Sequence, residues 1–102
     1  MLAAFSVWPS GGQAGDSGHE AVAAAVKVVR ESGLPNHTDA MFTTIEGEWD
    51  AVFDTIRAAV EAALEYGSRV DLVIKADIRP GHDHELTGKV ERMERAIAAR
   101  GK

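Results

Sequence analysis

Thr44 and Glu46 stand two residues apart in a segment whose second half, Thr43 to Ile45, is β-branched. Lys75 and Asp77 stand two apart in an apolar stretch from Arg69 to Arg79. Successive side chains of an extended chain point to opposite faces, so each pair shares one face. A hydroxyl, two carboxylates and an ammonium on one sheet face can hydrogen-bond the edge of a polar ring and balance a cation. The same groups can instead form a cross-strand ion pair that stabilises a subunit interface. Glu46 or Asp77 could also serve as a general base beside a histidine, but no spacing fixes that geometry. Trp8 and Phe42 add aromatic surface beside these charges, a combination that must be covered or used.

Other motifs carry less. His82-Asp83-His84 has metal-ligand residue types. It lacks a companion motif and follows Pro80-Gly81, so a solvated connector is the simpler reading. Gly11-Gly12-Gln13-Ala14-Gly15 lacks the Lys-Ser/Thr ending of a phosphate loop. His19 and His37 read as surface or cap residues. There is no cysteine, which removes disulfides, thiolate catalysis and Cys-based metal sites.

The elements that would position these residues can be read from periodicity. Ala3, Phe5 and Val7 alternate with Ala4, Ser6 and Trp8, which suits a strand ended by Pro9. Ser17 and Glu20 have capping-box spacing ahead of Val22, Ala25, Val26 and Val29, predicting a helix from about Gly18 to Ser32. Ser17 is therefore a helix cap before it is a ligand group. Asn36 to Gly47 reads as two short strands joined near Asp39-Ala40-Met41. On the second strand, Thr43 and Ile45 face one way, and Phe42, Thr44 and Glu46 the other. A second helix begins near Glu48, with Trp49, Val52, Phe53, Ile56, Val60, Ala63 and Leu64 on its core face, and ends at Gly67. Val70, Leu72, Ile74, Ala76 and Ile78 form the core face of a further strand whose other face is mostly charged. Glu85 to Arg100 reads as a last helix, with Leu86, Val90, Met93 and Ile97 on one face.

The order β-α-β-β-α-β plus a C-terminal helix predicts an α+β, ferredoxin-like sandwich in a single domain, residues 1–102. Apolar residues are 45% and charged residues 26% of the 102, an ordinary globular balance for one core. The net charge of -5, without a basic stripe, speaks against nucleic acid. The sheet face carries too many carboxylates for RNA stacking. No apolar run approaches the ~20 residues that span a bilayer, and the N-terminus lacks the basic region of a signal peptide. The expected location is the cytoplasm, with no membrane partner.

Met41-Phe42-Thr43-Thr44-Ile45-Glu46-Gly47-Glu48 resembles the Met-Gly-Thr-Thr-Ile-Glu-Gly-Glu segment of the MTH1187/YkoF-like thiamine-binding proteins (UPF0045/DUF77). Val7-Trp8-Pro9, Ile74-Lys75-Ala76-Asp77-Ile78-Arg79 and Gly88-Lys89-Val90-Glu91 resemble three further family stretches, in the same order. Ser17 and the Val22-Ala23-Ala24-Ala25-Val26 run also fit. The resemblance implies a ferredoxin-like subunit, a homo-oligomer (dimer or tetramer), and binding of thiamine or its hydroxymethylpyrimidine moiety without catalysis and without a cofactor. It describes a carrier or sensor. Thiamine offers a flat aminopyrimidine and a cationic thiazolium. Glu46 or Asp77 would then accept from the amino group or balance the cation. Thr44 and Ser17 would bond ring nitrogens, Trp8 or Phe42 would stack, and Lys75 would lie on the same face. Two departures stand out: Phe42 replaces a common Gly, and the loop Ser10 to Asp16 is one residue longer. Phe42 would either block a pocket or offer a stacking surface. The alternatives are a structural or regulatory oligomer with an occluded site, and a small hydrolase or isomerase using Glu46.

Overall fold

The computed structural model describes residues 1–11 and 18–101. Four strands and three main helices run in the order β1 (Leu2–Ser10), α1 (Gly18–Glu31), β2 (Asn36–Thr38), β3 (Thr43–Glu46), α2 (Trp49–Ala63), β4 (Arg69–Asp77) and α3 (Glu85–Arg100). A short 3-10 turn, Leu64–Tyr66, extends α2. The sheet is antiparallel with strand order β2-β3-β1-β4. This is the ferredoxin-like α+β arrangement that the sequence pattern predicts.

Ala3, Phe5 and Val7 of β1, with Thr43 and Ile45 of β3, face α1 and α2. Those helices answer with Ala21, Ala25 and Val29, and with Val52, Ile56, Ala59 and Ala63. Four of these seven are alanines, and their small side chains let the helix backbones approach the sheet closely. Truncating Phe5, Ile45, Val29 or Val52, all fully buried, removes packing that the site-bearing strands depend on.

Three expectations are corrected. Pro9 does not end β1, which pairs with β4 as far as Ser10↔Arg69. The β1–β3 ladder stops at Phe5↔Thr43, so a residue without an N–H is tolerated at Pro9, on an edge with no strand partner among the described residues. Trp49 is not core: it is the first residue of α2, stands 55% exposed, and lies tilted at 46° against Phe53 with ring centroids 4.9 Å apart. On the helix-facing side of β4, Leu72 and Ile74 remain 41% and 37% exposed, because α1 and α2 pack chiefly on β1 and only α2 reaches β4, lightly.

The register places Thr44 and Lys75 opposite Ala4, and Glu46 and Asp77 opposite Leu2. All four therefore share the sheet face away from α1 and α2. The first turns of α3 lie over part of that face. Beyond them α3 projects, leaving Val90, Met93 and Ile97 exposed.

Candidate functional site

β1 has β4 on one side along its whole length, but β3 on the other only as far as Phe5. From Ser6 onward that edge is unpaired among the described residues. α1 lies on one side of the open edge and the β2–β3 turn on the other. Between them is a cleft of about 380 Å³, walled by Trp8, His19, Met41, Phe42 and Val22 with Ser6 on its floor. Its size falls in the range of small-molecule pockets. An unpaired strand edge presents alternating N–H and C=O groups, a donor-acceptor strip suited to a heteroaromatic edge.

Each wall has a local cause. The Trp8 ring rests on the start of α1: a Cβ built on Gly18 would lie 2.4 Å from its Cη2. Glycine there lets ring and backbone touch. His19 meets the same indole edge-on, with centroids 6.4 Å apart. Across the cleft, Asp39 Oδ1 accepts the N–H groups of Met41 (2.8 Å) and Phe42 (3.0 Å), and the Phe42 carbonyl accepts the Asp39 N–H at 2.9 Å. This Asx-type turn fixes the backbone that carries both side chains. The hydroxyls of Thr38 and Thr43, 3.0 Å apart, clamp its base. The N–H of Met41, then that of Phe42, holds the Asp39 carboxyl below the usual carboxylate range, so the cleft rim carries a fixed negative charge.

The structure divides the residues singled out in the sequence. Trp8 and Phe42 come together in the cleft. Ser17 lies outside the described residues. Glu46, only 6% exposed, uses both carboxylate oxygens on the first turn of α3: Oε2 accepts from Glu85 N at 2.6 Å and Oε1 from Leu86 N at 3.1 Å. It caps that helix from a distant strand. Asp77 accepts from Lys89 Nζ of α3 at 2.6 Å. The space beside Glu46 and Asp77 is about 10 Å³, room for no more than a water molecule. Thr44 lines a broad groove under α3 with Leu2, His37, Leu86 and Val90. Lys75 projects exposed from the outer face of β4. The shared face foreseen for Thr44, Glu46, Lys75 and Asp77 is therefore real. Its carboxylates, however, hold α3.

His19, Met41 and Asp39 were missed as site residues. The signal for Asp39 was its place at the head of the turn, where its side chain could bond the N–H groups following it. His82 and His84 lie in the exposed connector before α3. His84 adopts the left-handed conformation at φ 57° and leads directly into the capped turn. Among the described residues no group of three or more His, Cys, Asp or Glu is arranged to hold a metal.

Three carboxyls are held below their ordinary range: Asp39 by the turn amides, Asp77 chiefly by its hydrogen bond from Lys89, and Glu85 chiefly by its hydrogen bond from Arg92. A carboxyl lowered in the folded state adds stability above its unfolded value and loses it as pH falls through the folded one. The thermal midpoint, followed by circular dichroism, should stay flat from about pH 7 to 5 and fall below about pH 4. Asp39→Asn should make that acid-side decline shallower.

Comparison with known proteins decides the relationship. The family model for thiamine-binding proteins matches residues 3–94. The chain belongs to that family. A UPF0045 protein of Mycobacterium bovis is 50% identical over 98 residues, covering 95% of this chain and 94% of the relative. A DUF77 domain from Bacillus cereus shares the fold with a TM-score of 0.71 at 33% identity, over 78% of this chain and 76% of that one. A candidate thiamine biosynthesis/salvage protein of Thermotoga maritima, 20% identical, superposes with a TM-score of 0.75 over 90% and 96% of the two chains, a likeness of fold. No described helix is long and apolar enough to cross a membrane.

Proposed function

We propose that the chain binds thiamine, or its hydroxymethylpyrimidine moiety, in the cleft between β1, α1 and the β2–β3 turn, and releases it unchanged. The observation that carries this reading is the pairing of aromatic walls with an open strand edge in a cleft of about 380 Å³. A planar aminopyrimidine has donors and acceptors on its rim and π-faces above and below. Ser6 and its neighbours offer the strip for the rim, and Trp8 and Phe42 offer the faces. Asp39, held ionised by its turn, supplies the charge that a thiazolium cation favours. Family membership supports the same ligand class. Glu46 serves poorly as the general base of a hydrolase or isomerase, since two helix N–H groups hold its carboxylate. The reading is thus of a cytoplasmic carrier or sensor without catalysis, working as a homo-oligomer.

Isothermal titration of thiamine and of hydroxymethylpyrimidine tests it. Saturable binding of at least one, at micromolar affinity or better, is expected. Asp39→Asn keeps the acceptor of the turn but removes the charge. It should weaken thiamine about threefold to fivefold at low salt, with little effect on the neutral pyrimidine. No heat from either ligand, with the protein folded, would overturn the proposal.

A further inference from the structure

In an antiparallel sheet the backbone groups of one residue turn to one neighbouring strand and those of the next residue to the other. The parity of β1 is fixed where it begins. The Met1 ammonium donates to the Gly47 carbonyl at 2.8 Å, and Gly47 N donates to the Met1 carbonyl at 3.1 Å. This doubly bonded pair lies one step before Leu2↔Glu46. Ala3, Phe5, Val7 and Pro9 therefore turn their backbone groups toward β3, and Ser6, Trp8 and Ser10 toward β4. The other edge of β3 agrees. Glu46 N donates to the Pro35 carbonyl at 3.0 Å and Asp39 N to the Phe42 carbonyl at 2.9 Å, so the even-numbered residues of β3 serve β2 and leave Thr43 and Ile45 for β1.

Phe5 is matched by Thr43, where that ladder ends. Pro9 has a carbonyl but no N–H. Val7 is thus the one residue of β1 that turns both a donor and an acceptor to the open edge, and it lines the cleft. The same register would set Met41 opposite Val7. The Met41 N–H goes instead to Asp39 Oδ1 at 2.8 Å. No loop backbone group takes its place on Val7 among the described residues. A backbone donor and acceptor left beside apolar walls are satisfied only by water or by a ligand.

We infer that the ligand ring takes the ladder position that Met41 gives up, with a ring nitrogen accepting from the Val7 N–H and a neighbouring amino group donating to the Val7 carbonyl. This rests on the thiamine or hydroxymethylpyrimidine reading above and names the part of the ligand that is read: the edge where a ring nitrogen and an amino group adjoin. The ring acts as a one-residue extension of β3, held by main-chain bonds as an added strand is. Asp39 then has a second duty, since diverting the Met41 N–H keeps the position opposite Val7 open. A ring without the amino group leaves the Val7 carbonyl unpaired between Trp8 and Phe42, which is how a polar site rejects an analogue that lacks one donor.

Amide hydrogen exchange followed by NMR tests the wild-type protein directly. Without ligand, the Val7 amide should exchange faster than those of Ser6 and Trp8, although Val7 has the most buried side chain of the three. Saturating hydroxymethylpyrimidine should slow Val7 about tenfold or more and leave Ser6 and Trp8 nearly unchanged. In calorimetry, hydroxymethylpyrimidine with its amino group replaced by hydrogen should bind about tenfold or more weakly than the parent. A Val7 amide already slow in the free protein would overturn the inference, because a partner would hold it. Saturable binding that leaves Val7 exchange unchanged, or equal affinity for the analogue without the amino group, would overturn it while leaving the proposed ligand in place. No binding of thiamine or hydroxymethylpyrimidine would overturn both.

Discussion

Glu46→Ala should free α3 from the sheet while leaving the cleft beside β1 intact and the proposed ligand binding unchanged. Its carboxylate is the group that accepts from the first N–H groups of α3, at 2.6 and 3.1 Å. Helix caps contribute about 0.5–2 kcal/mol, and hydrogen bonds to a charged partner about 1.5–3 kcal/mol. Removing both bonds should cost about 2–3 kcal/mol. The loss should be local, because α3 touches the sheet mainly near its start, with one further tie from Lys89 to Asp77. Amide hydrogen exchange in Glu85–Arg100 should accelerate about thirtyfold or more, while Phe5 and Ile45 amides change little. Glu46→Gln should fall between, since its amide keeps one acceptor but turns an NH2 group toward the second N–H. Calorimetry separates capping from ligand contact. If Glu46→Gln lost thiamine binding while α3 kept its protection, the residue would belong to the ligand site after all.

The fold was legible because each element announces itself locally. The β4 alternation from Val70 to Asp77, the apolar stripe of α2 and the Gly67 and Pro80-Gly81 breaks need no tertiary information. The register followed too: Thr44 and Glu46 do share a face with Lys75 and Asp77. What periodicity cannot give is what covers a face. The apolar pattern of Leu72 and Ile74 is equally compatible with an intrachain core and with a surface left for a partner. Trp49 shows the same limit. It falls on the helical stripe, but at the first residue of α2, where the helix has only begun to approach the core.

The site was legible in part. Trp8 and Phe42 could be chosen as stacking residues from type and neighbourhood alone. The cleft that joins them depends on β1 outrunning β3 by five residues, Ser6 to Ser10, a length mismatch between strands distant in sequence. The role of Glu46 depends on a contact across 39 residues. A buried carboxylate two positions from Thr44 looks the same in sequence whether it waits for a ligand or caps a helix. The resemblance motif could not separate the two, because a cap is as constrained by its partners as a ligand group is.

Trp8→Ala should weaken thiamine binding about tenfold to a hundredfold, on the scale of an aromatic platform lost from beneath a stacked base. Trp8 is 52% exposed, so the fold should lose only about 1 kcal/mol of packing with it. Gly18→Ala tests whether ring position, and not merely aromatic mass, matters. On helix propensity alone the change favours α1, by less than the ~0.5–1 kcal/mol of an interior site because Gly18 is its first residue. Yet the new methyl would fall 2.4 Å and 2.5 Å from Cη2 and Cζ2 of Trp8. The half-exposed ring is the part that can yield, by swinging away from α1. Stability should therefore hold or rise slightly while thiamine affinity falls about tenfold, the opposite signs marking a displaced wall rather than a damaged fold. In a Trp49→Phe background, Trp8 becomes the sole tryptophan. Its emission should shift to the red in Gly18→Ala as the ring enters water. If affinity survives both substitutions, stacking on Trp8 is not what holds the ligand. Phe42 would then have to supply the platform alone.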